Sequence, residues 1–136
     1  YHSGGEHPAP TRRHFQVTMF APPYNALDPR CPSRFVLTRI GDRWTALIVS
    51  LLDERPYRFG ELRRTVEGIS QKMLTQTLRG LEKDGLVRRE VVSTRPISVD
   101  YSLTDLGRTL VPVVDAVVRW AEEHAAEVLE AHGQQA

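Results

Sequence analysis

The sequence predicts a mainly α domain with α+β character, and three observations predict it. Apolar residues recur at helical spacing through most of the chain from Pro32 to His132, the period switches to two only between Leu86 and Thr104, and Pro is concentrated before Cys31. At 136 residues the chain has the length of one ordinary domain. Its 40% hydrophobic fraction, with glycine added, matches a folded globular domain and excludes wholesale disorder. The longest apolar run, Ala46 to Leu52, is interrupted by Ser50 and falls far short of the roughly 18 residues a membrane helix needs. The single cysteine, Cys31, excludes intrachain disulfides and thiolate metal clusters and fits a reducing cytoplasm. Cytoplasmic localisation and no membrane partner are the resulting expectations.

Residues 1–30 carry five of the nine prolines and three of the five histidines without any sustained period, which predicts a flexible tail. Tyr1 to Gly5 read as added sequence, Met19 is a candidate start, and no signal-peptide pattern is present. The histidines at positions 2, 7 and 14 belong to that tail rather than to a metal site.

The domain proper is predicted over 31–132. Pro32 suits a first helical position, and Phe35, Val36 and Ile40 then share a face up to Gly41. Asp42 is a good N-cap for a second helix, whose Trp44, Leu47, Ile48, Leu51 and Leu52 make an apolar stripe. After Pro56 a short extended piece leads to a third helix with Phe59, Leu62 and Val66. Glu67-Gly68-Ile69 then breaks the chain for only three residues before a helix from about Ser70 to Asp84, with Met73, Leu74, Leu78 and Leu81 inward. Leu86 to Val92 reads as a strand, Ser93 to Ser98 with Pro96 as a turn, and Val99, Tyr101 and Leu103 alternate with polar residues as the returning strand. Thr104 is a plausible cap for a last helix reaching about His132. Helix, helix, short strand, helix, tight turn, helix and ribbon, in that order, make a winged helix-turn-helix, in which the helix after the turn enters the DNA major groove.

The charge distribution supports that reading. The formal net charge is only +1, yet Arg55 to Asp100 holds ten basic side chains against six acidic, while Tyr101 to Ala136 holds two against six. On the helix after the turn, Lys72, Thr75, Gln76 and Arg79 fall at i, i+3, i+4 and i+7, joined by Ser70, Gln71 and Lys83. From Ile69 through Leu81 there is no carboxylate. Such a face offers the donors that phosphates and base edges accept, whereas a merely solvated helix in so acid-rich a chain should carry a Glu or two. Arg79 or Lys72 can pair with guanine or hold phosphate, and Gln76 or Gln71 can read adenine. Arg63 and Arg64 on the preceding helix, and Arg95 at the ribbon tip, are placed for phosphates or a minor groove.

The last helix has more apolar surface than one small domain needs. Leu106, Leu110, Val113, Val117 and Trp120 form one stripe, and Val111, Val114, Val118, Ala121, Ala125 and Val128 a second. One stripe seals the domain; the other is expected to seal a homodimer, with Leu110, Val113, Val114, Val117, Trp120 and Ala121 as its residues. A single wide core face is the competing reading. A two-fold dimer would present two recognition helices to half-sites roughly 34 Å apart. Pro112 should bend the helix.

The runs CPSRFVLTRIGDRWTALIVSLL, RPYRFGELRRTVEGISQKMLTQTLRGLEKDGLVRRE and VDYSLTDLGRTLVPVV resemble the HxlR family of bacterial transcription regulators, a MarR-like winged-helix group. The resemblance covers about Cys31 to His124. Gly60 and Gly80 depart from the family's pattern, where a Ser-like and a Glu-like residue are expected. The resemblance implies dimeric binding to a double-stranded operator, repression as the expected sign, the Ser70 to Lys83 helix in the major groove and the wing on flanking DNA. It also implies a sensing role for Cys31, because several members sense oxidants, quinones or aldehydes through a cysteine just before the first helix. Independently, a thiol at a helix N-terminus beside Arg30 and near Arg34 should have a lowered pKa. With no second cysteine, a Cys31 to Cys31 bridge between protomers, alkylation or a mixed disulfide with a small thiol are the routes left. The alternatives are a small-molecule ligand at the dimer interface and a winged helix that binds only protein. An enzyme is not expected, nor a cofactor: His124 and His132 lie on an acidic helix far in sequence from Cys31, without a phosphate loop or metal spacing, and His124 with Glu127 reads as solvated surface.

Overall fold

The computed structural model describes residues 22–134, so the histidines at 2, 7 and 14, the 1–5 segment and Met19 lie outside the described residues. The chain divides between Gly41 and Asp42 into two compact units.

Among the described residues of the first unit, hydrogen-bonded structure is already present at Asn25, ahead of the Cys31-Pro32 boundary the sequence predicts. Asn25 Oδ1 accepts from the Leu27 N–H at 3.0 Å, the Asn25 carbonyl accepts from Asp28 at 3.1 Å, and the Asp28 carbonyl accepts from Cys31 at 3.0 Å. Short Asx side chains compete for nearby N–H groups in this way and build turns. Helix α1 (Pro32–Ile40) comes next, with Pro at its start and Gly41 as C-cap. It buries none of its residues: Phe35, Val36 and Leu37 are 55%, 49% and 54% exposed.

The second unit opens with α2 (Arg43–Leu52), capped as predicted by Asp42, whose carboxylate accepts the Trp44 N–H at 2.8 Å. The buried side is Thr45, Ala46, Ile48, Val49 and Leu52, while Leu47 is exposed and Trp44 and Leu51 half-buried. The stripe expected from Trp44 and Leu47 is therefore turned by about one residue, roughly 100°. A helix that is apolar nearly all round leaves that choice to its neighbours. Strand β1 (Tyr57–Arg58) leads into α3 (Phe59–Thr65), where the Glu61 carboxylate accepts the Arg58 N–H at 2.9 Å and closes the first turn. Gly68, at φ +93°, makes the turn a side chain would strain. Ser70 then caps α4 (Gln71–Lys83) by accepting the Met73 N–H at 3.0 Å.

Strands β2 (Val87–Thr94) and β3 (Ile97–Leu103) form the predicted ribbon, tighter than expected: both strands run into the 93–98 segment, leaving Arg95-Pro96 between them. The sheet is antiparallel in the order β1-β3-β2, with Tyr57 opposite Tyr101, Arg89 opposite Tyr101 on the other side, and an irregularity between Val91 and Ser93. The short strand read after Pro56 is thus an edge strand of the sheet, and its pairing with β3 is what local sequence did not reveal. Helix α5 (Asp105–Gln134) is capped by Thr104, whose Oγ1 accepts the Gly107 N–H at 3.0 Å and donates to the Gly85 carbonyl at 2.6 Å.

The core lies where α2, α4, the ribbon base and the first half of α5 meet, built on Ile48, Val49, Leu62, Leu74, Leu78, Leu81, Val87, Leu103 and Val114. Ser50 on α2 donates to Asp115 on α5 at 2.7 Å. Only Gly107, Leu110, Val111 and Val114 of α5 are buried. Among the described residues, no helix is long and apolar enough to cross a membrane.

Candidate nucleic-acid interface

The three-residue break between α3 and α4 is built from closed, local hydrogen bonds. Val66 N–H reaches the Leu62 carbonyl at 2.9 Å, Ile69 N–H the Val66 carbonyl at 3.3 Å, and Ser70 caps α4 directly after the break. Val66 and Ile69 are both buried, which pins the turn to the core. The helix-turn-helix is therefore held rigidly enough to present one surface.

That surface is the outer side of α4. Leu74, Thr77, Leu78 and Leu81 point inward, leaving Ser70, Gln71, Lys72, Gln76 and Arg79 exposed and Thr75 half-buried along the other side. The predicted stripe thus lies on one exposed face, with Ser70 already engaged as the cap. Among the described residues, Lys72 and Arg79 make no ion pair, so their charge is available to an anion. Lys83, in the last turn, is exposed but engaged within the chain. Arg63 and Arg64 are exposed in the last turn of α3, and the Arg64 guanidinium lies beside Gly60, where an added Cβ would be 3.3 Å from its Nη1. Arg95 is exposed at the tip of the ribbon. Other basic residues are committed locally: Arg55 pairs with Glu61 at 3.3 Å and covers the Tyr57 ring at 3.8 Å, and Arg58 lies 3.8 Å from Asp100.

One feature of this face was missed from sequence. A cleft between α4 and the sheet is lined by residues that include Phe59, Thr75, Arg79, Glu82, Arg89 and Tyr101, which puts a strand arginine in one cleft with an α4 arginine. The signal was present: with Val87 inward, strand alternation puts Arg89 on the same face.

The dimerisation residues expected on α5 separate into two groups. Leu110 and Val114 are 9% and 0% exposed, packed into the chain's own core, and so cannot serve a second copy. Val113, Val117 and Trp120 are 46%, 51% and 57% exposed, and Ala121 is exposed beside them. The division tracks the 3.6 period: Gly107, Leu110, Val111 and Val114 share the inward face, and no side chain on it can also point out. Trp120 stacks on His124 at 4.7 Å, and His124 donates to the Trp120 carbonyl at 3.0 Å and faces Glu127 at 3.9 Å. Among the described residues no cluster of three or more metal-ligating side chains occurs.

In the first unit, Cys31 is the N-cap of α1 and only 3% exposed. Burial pushes its thiol up, but hydrogen bonds from Ser33 and from the Asn25 N–H outweigh it, and the net shift is downward. The direction is the one expected; the cause is hydrogen bonding at the helix start rather than the two arginines. Arg30 is held by Asp28 at 3.2 Å, and the Arg34 guanidinium donates to the Ala26 and Leu27 carbonyls at 2.8 and 2.9 Å. The Asp28 charge even opposes the shift.

Comparison with known proteins agrees with this geometry. The family model described as HxlR-like helix-turn-helix matches residues 39–128. The chain is 41% identical over 112 residues to the uncharacterized HTH-type transcriptional regulator YtfH of Escherichia coli (strain K12), covering 82% of this chain and 89% of that protein. Among solved structures it is similar to the putative transcriptional regulator YtfH from Salmonella typhimurium, with TM-score 0.75 and 39% identity over 81% of this chain and 98% of that one. It is also similar to the redox regulator HypR in its reduced form, with TM-score 0.65 and 43% identity over 74% of this chain and 98% of that one. With its winged helix, its ribbon and its long C-terminal helix, the chain belongs to the HxlR-like helix-turn-helix family of transcriptional regulators.

Proposed function

We propose that the protein is a cytoplasmic, homodimeric, sequence-specific DNA-binding repressor. The observation that carries this reading is the exposed outer side of α4 from Gln71 to Arg79, which has no carboxylate before Glu82 and on which Lys72 and Arg79 have no ion pair among the described residues. Gln71, Thr75, Gln76 and Arg79 read base edges, and Ser70, Lys72, Lys83, Arg63, Arg64 and Arg95 position the helix and wing on phosphates. Val113, Val117, Trp120 and Ala121 join two copies, which sets the two recognition helices on successive half-sites. The test is binding to duplex DNA from upstream of its own coding region over a salt series. Lys72→Ala with Arg79→Ala removes the two Lys72 phosphate contacts of a dimer, so the slope of log K against log salt falls by about 1.8, and loss of the Arg79 base contacts narrows the preference for the upstream duplex. Binding indifferent both to salt and to the double substitution sinks the proposal and leaves a protein-interaction module.

Cys31 supports a second element, response to oxidants or electrophiles. Its N-cap position and lowered thiol pKa favour thiolate, and HypR, to which the chain is similar, is described as a redox regulator. Because Cys31 is buried, a reagent must be small or must wait for local opening. Oxidant should release DNA from the wild-type protein and not from Cys31→Ser. Equal release from both refutes the thiol switch.

A further inference from the structure

We propose that the cleft between α4 and the wing is a phosphodiester clamp, with Arg89 as its essential residue; the proposal rests on the DNA-binding reading. Along β2, side chains alternate between faces, so Arg89 shares the face of Val87, which is 2% exposed and packed in the core. Opposite them on β3, Leu103 is 3% exposed and Tyr101 half-buried. Arg89 and Tyr101 therefore occupy the first row beyond the sealed core, where the sheet leaves α4. That row forms one wall of the cleft, and Thr75, Arg79 and Glu82 of α4 form the other.

Two guanidinium groups line one cleft, and neither makes an ion pair among the described residues, although Glu82 is on the same wall. Like charges gathered in a partly enclosed space repel, and an anion between them relieves this. Planar guanidinium forks suit phosphate oxygens, and the Tyr101 and Thr75 hydroxyls add donors. Charge selects the kind of phosphate. Two arginines and one glutamate leave a single positive charge, matched by the single negative charge of a backbone phosphodiester rather than the double charge of a terminal phosphate. Arg79 stands on both the base-reading stripe and the cleft, so a phosphate seated here fixes how deep α4 enters the groove.

The test compares wild type, Arg89→Gln and Arg89→Lys as full-length dimers, checked by circular dichroism and sedimentation, on the upstream duplex and on an unrelated duplex of equal length. Arg89→Gln should weaken both complexes by the same factor and lower the salt slope by about 1.8, one phosphate per protomer. The wild-type advantage should then shrink about twelve-fold between 50 and 200 mM salt. Arg89→Lys keeps the slope. A neutral methylphosphonate walked along the upstream duplex should find one linkage per half-site at which wild type and Arg89→Gln bind equally. If Arg89→Gln retains the wild-type slope, or loses only the preference for the upstream duplex, the clamp is refuted. If Arg89→Gln does not fold, the clamp stands or falls on Tyr101→Phe. That change should weaken both complexes equally at unchanged slope, and no loss overturns the proposal. Wild-type protein that shows no salt-dependent binding to either duplex refutes the DNA-binding reading itself, a different result.

Discussion

Gly107→Ala tests the joint on which the whole second unit turns. A Cβ added at Gly107 would overlap the Leu86 carbonyl oxygen and lie 3.1 Å from its carbon and 3.2 Å from Leu103 Cδ2, against about 3.5–4.0 Å for an unstrained carbon contact. The Leu86 carbonyl cannot simply step aside. It accepts the Thr104 N–H at 3.1 Å, while Thr104 Oγ1 donates to Gly85 and accepts the Gly107 N–H that caps α5. Displacing it therefore loosens two or three hydrogen bonds worth about 1 kcal/mol each and adds overpacking of about 1–3 kcal/mol. Alanine's better helix propensity returns about 1 kcal/mol, so the net destabilisation is about 2–5 kcal/mol. Urea unfolding monitored by circular dichroism measures it as a lower midpoint at unchanged m. Gly133→Ala, where an added Cβ meets nothing within 4 Å, is the control and should change stability by less than about 0.5 kcal/mol. A Gly107→Ala protein as stable as wild type would refute this account of the joint.

Val114 and Val117 separate folding from association. Val114→Ala, at a fully buried site, should cost about 1–3 kcal/mol of unfolding free energy, whereas Val117→Ala should leave an isolated protomer's stability nearly unchanged and weaken self-association in sedimentation. Acid should act through Glu61, whose carboxyl is held below its ordinary range first by the Arg58 N–H and then by Arg55. A depressed folded pKa contributes stability above the unfolded value and loses it as pH falls through the folded one, so wild type should lead Glu61→Gln at neutral pH and the gap should close on acidification below the ordinary carboxylate range. A gap constant with pH would show that the carboxylate charge is irrelevant to the cap. For Cys31, Ser33→Ala removes a hydrogen bond that favours thiolate, and the pH midpoint of thiol alkylation should move upward; an unmoved midpoint would assign the shift elsewhere.

Helix starts were legible because capping is chemistry between residues two or three apart: Asp42 and Thr104 hold the N–H groups their positions predict, and Ser70, read only as a helix start and a DNA-binding residue, caps in the same way. The outer face of α4 was legible for a similar reason, since a strongly one-sided helix leaves little choice about which side turns to solvent. Where composition is more even, the same logic loses its grip. The face of α2 was turned, because Leu47 and Leu51 are as apolar as Ile48 and Val49, and only what α5 and α4 present selects between them. Leu110 and Val114 passed from the expected interface into the core on the same ground.

By itself, then, the order of residues determined the succession of helices and the ribbon, and the chemical character of the outer face of α4. Each depends on periodicity and on hydrogen bonds that close within a few positions. Tertiary structure alone decided that Tyr57 would find Tyr101 some forty residues away, that Ser50 would meet Asp115, and that Arg89 would share a cleft with Arg79. Those partners are chosen by packing across the domain, where many pairings are locally equivalent and only the one that fills the core without voids survives.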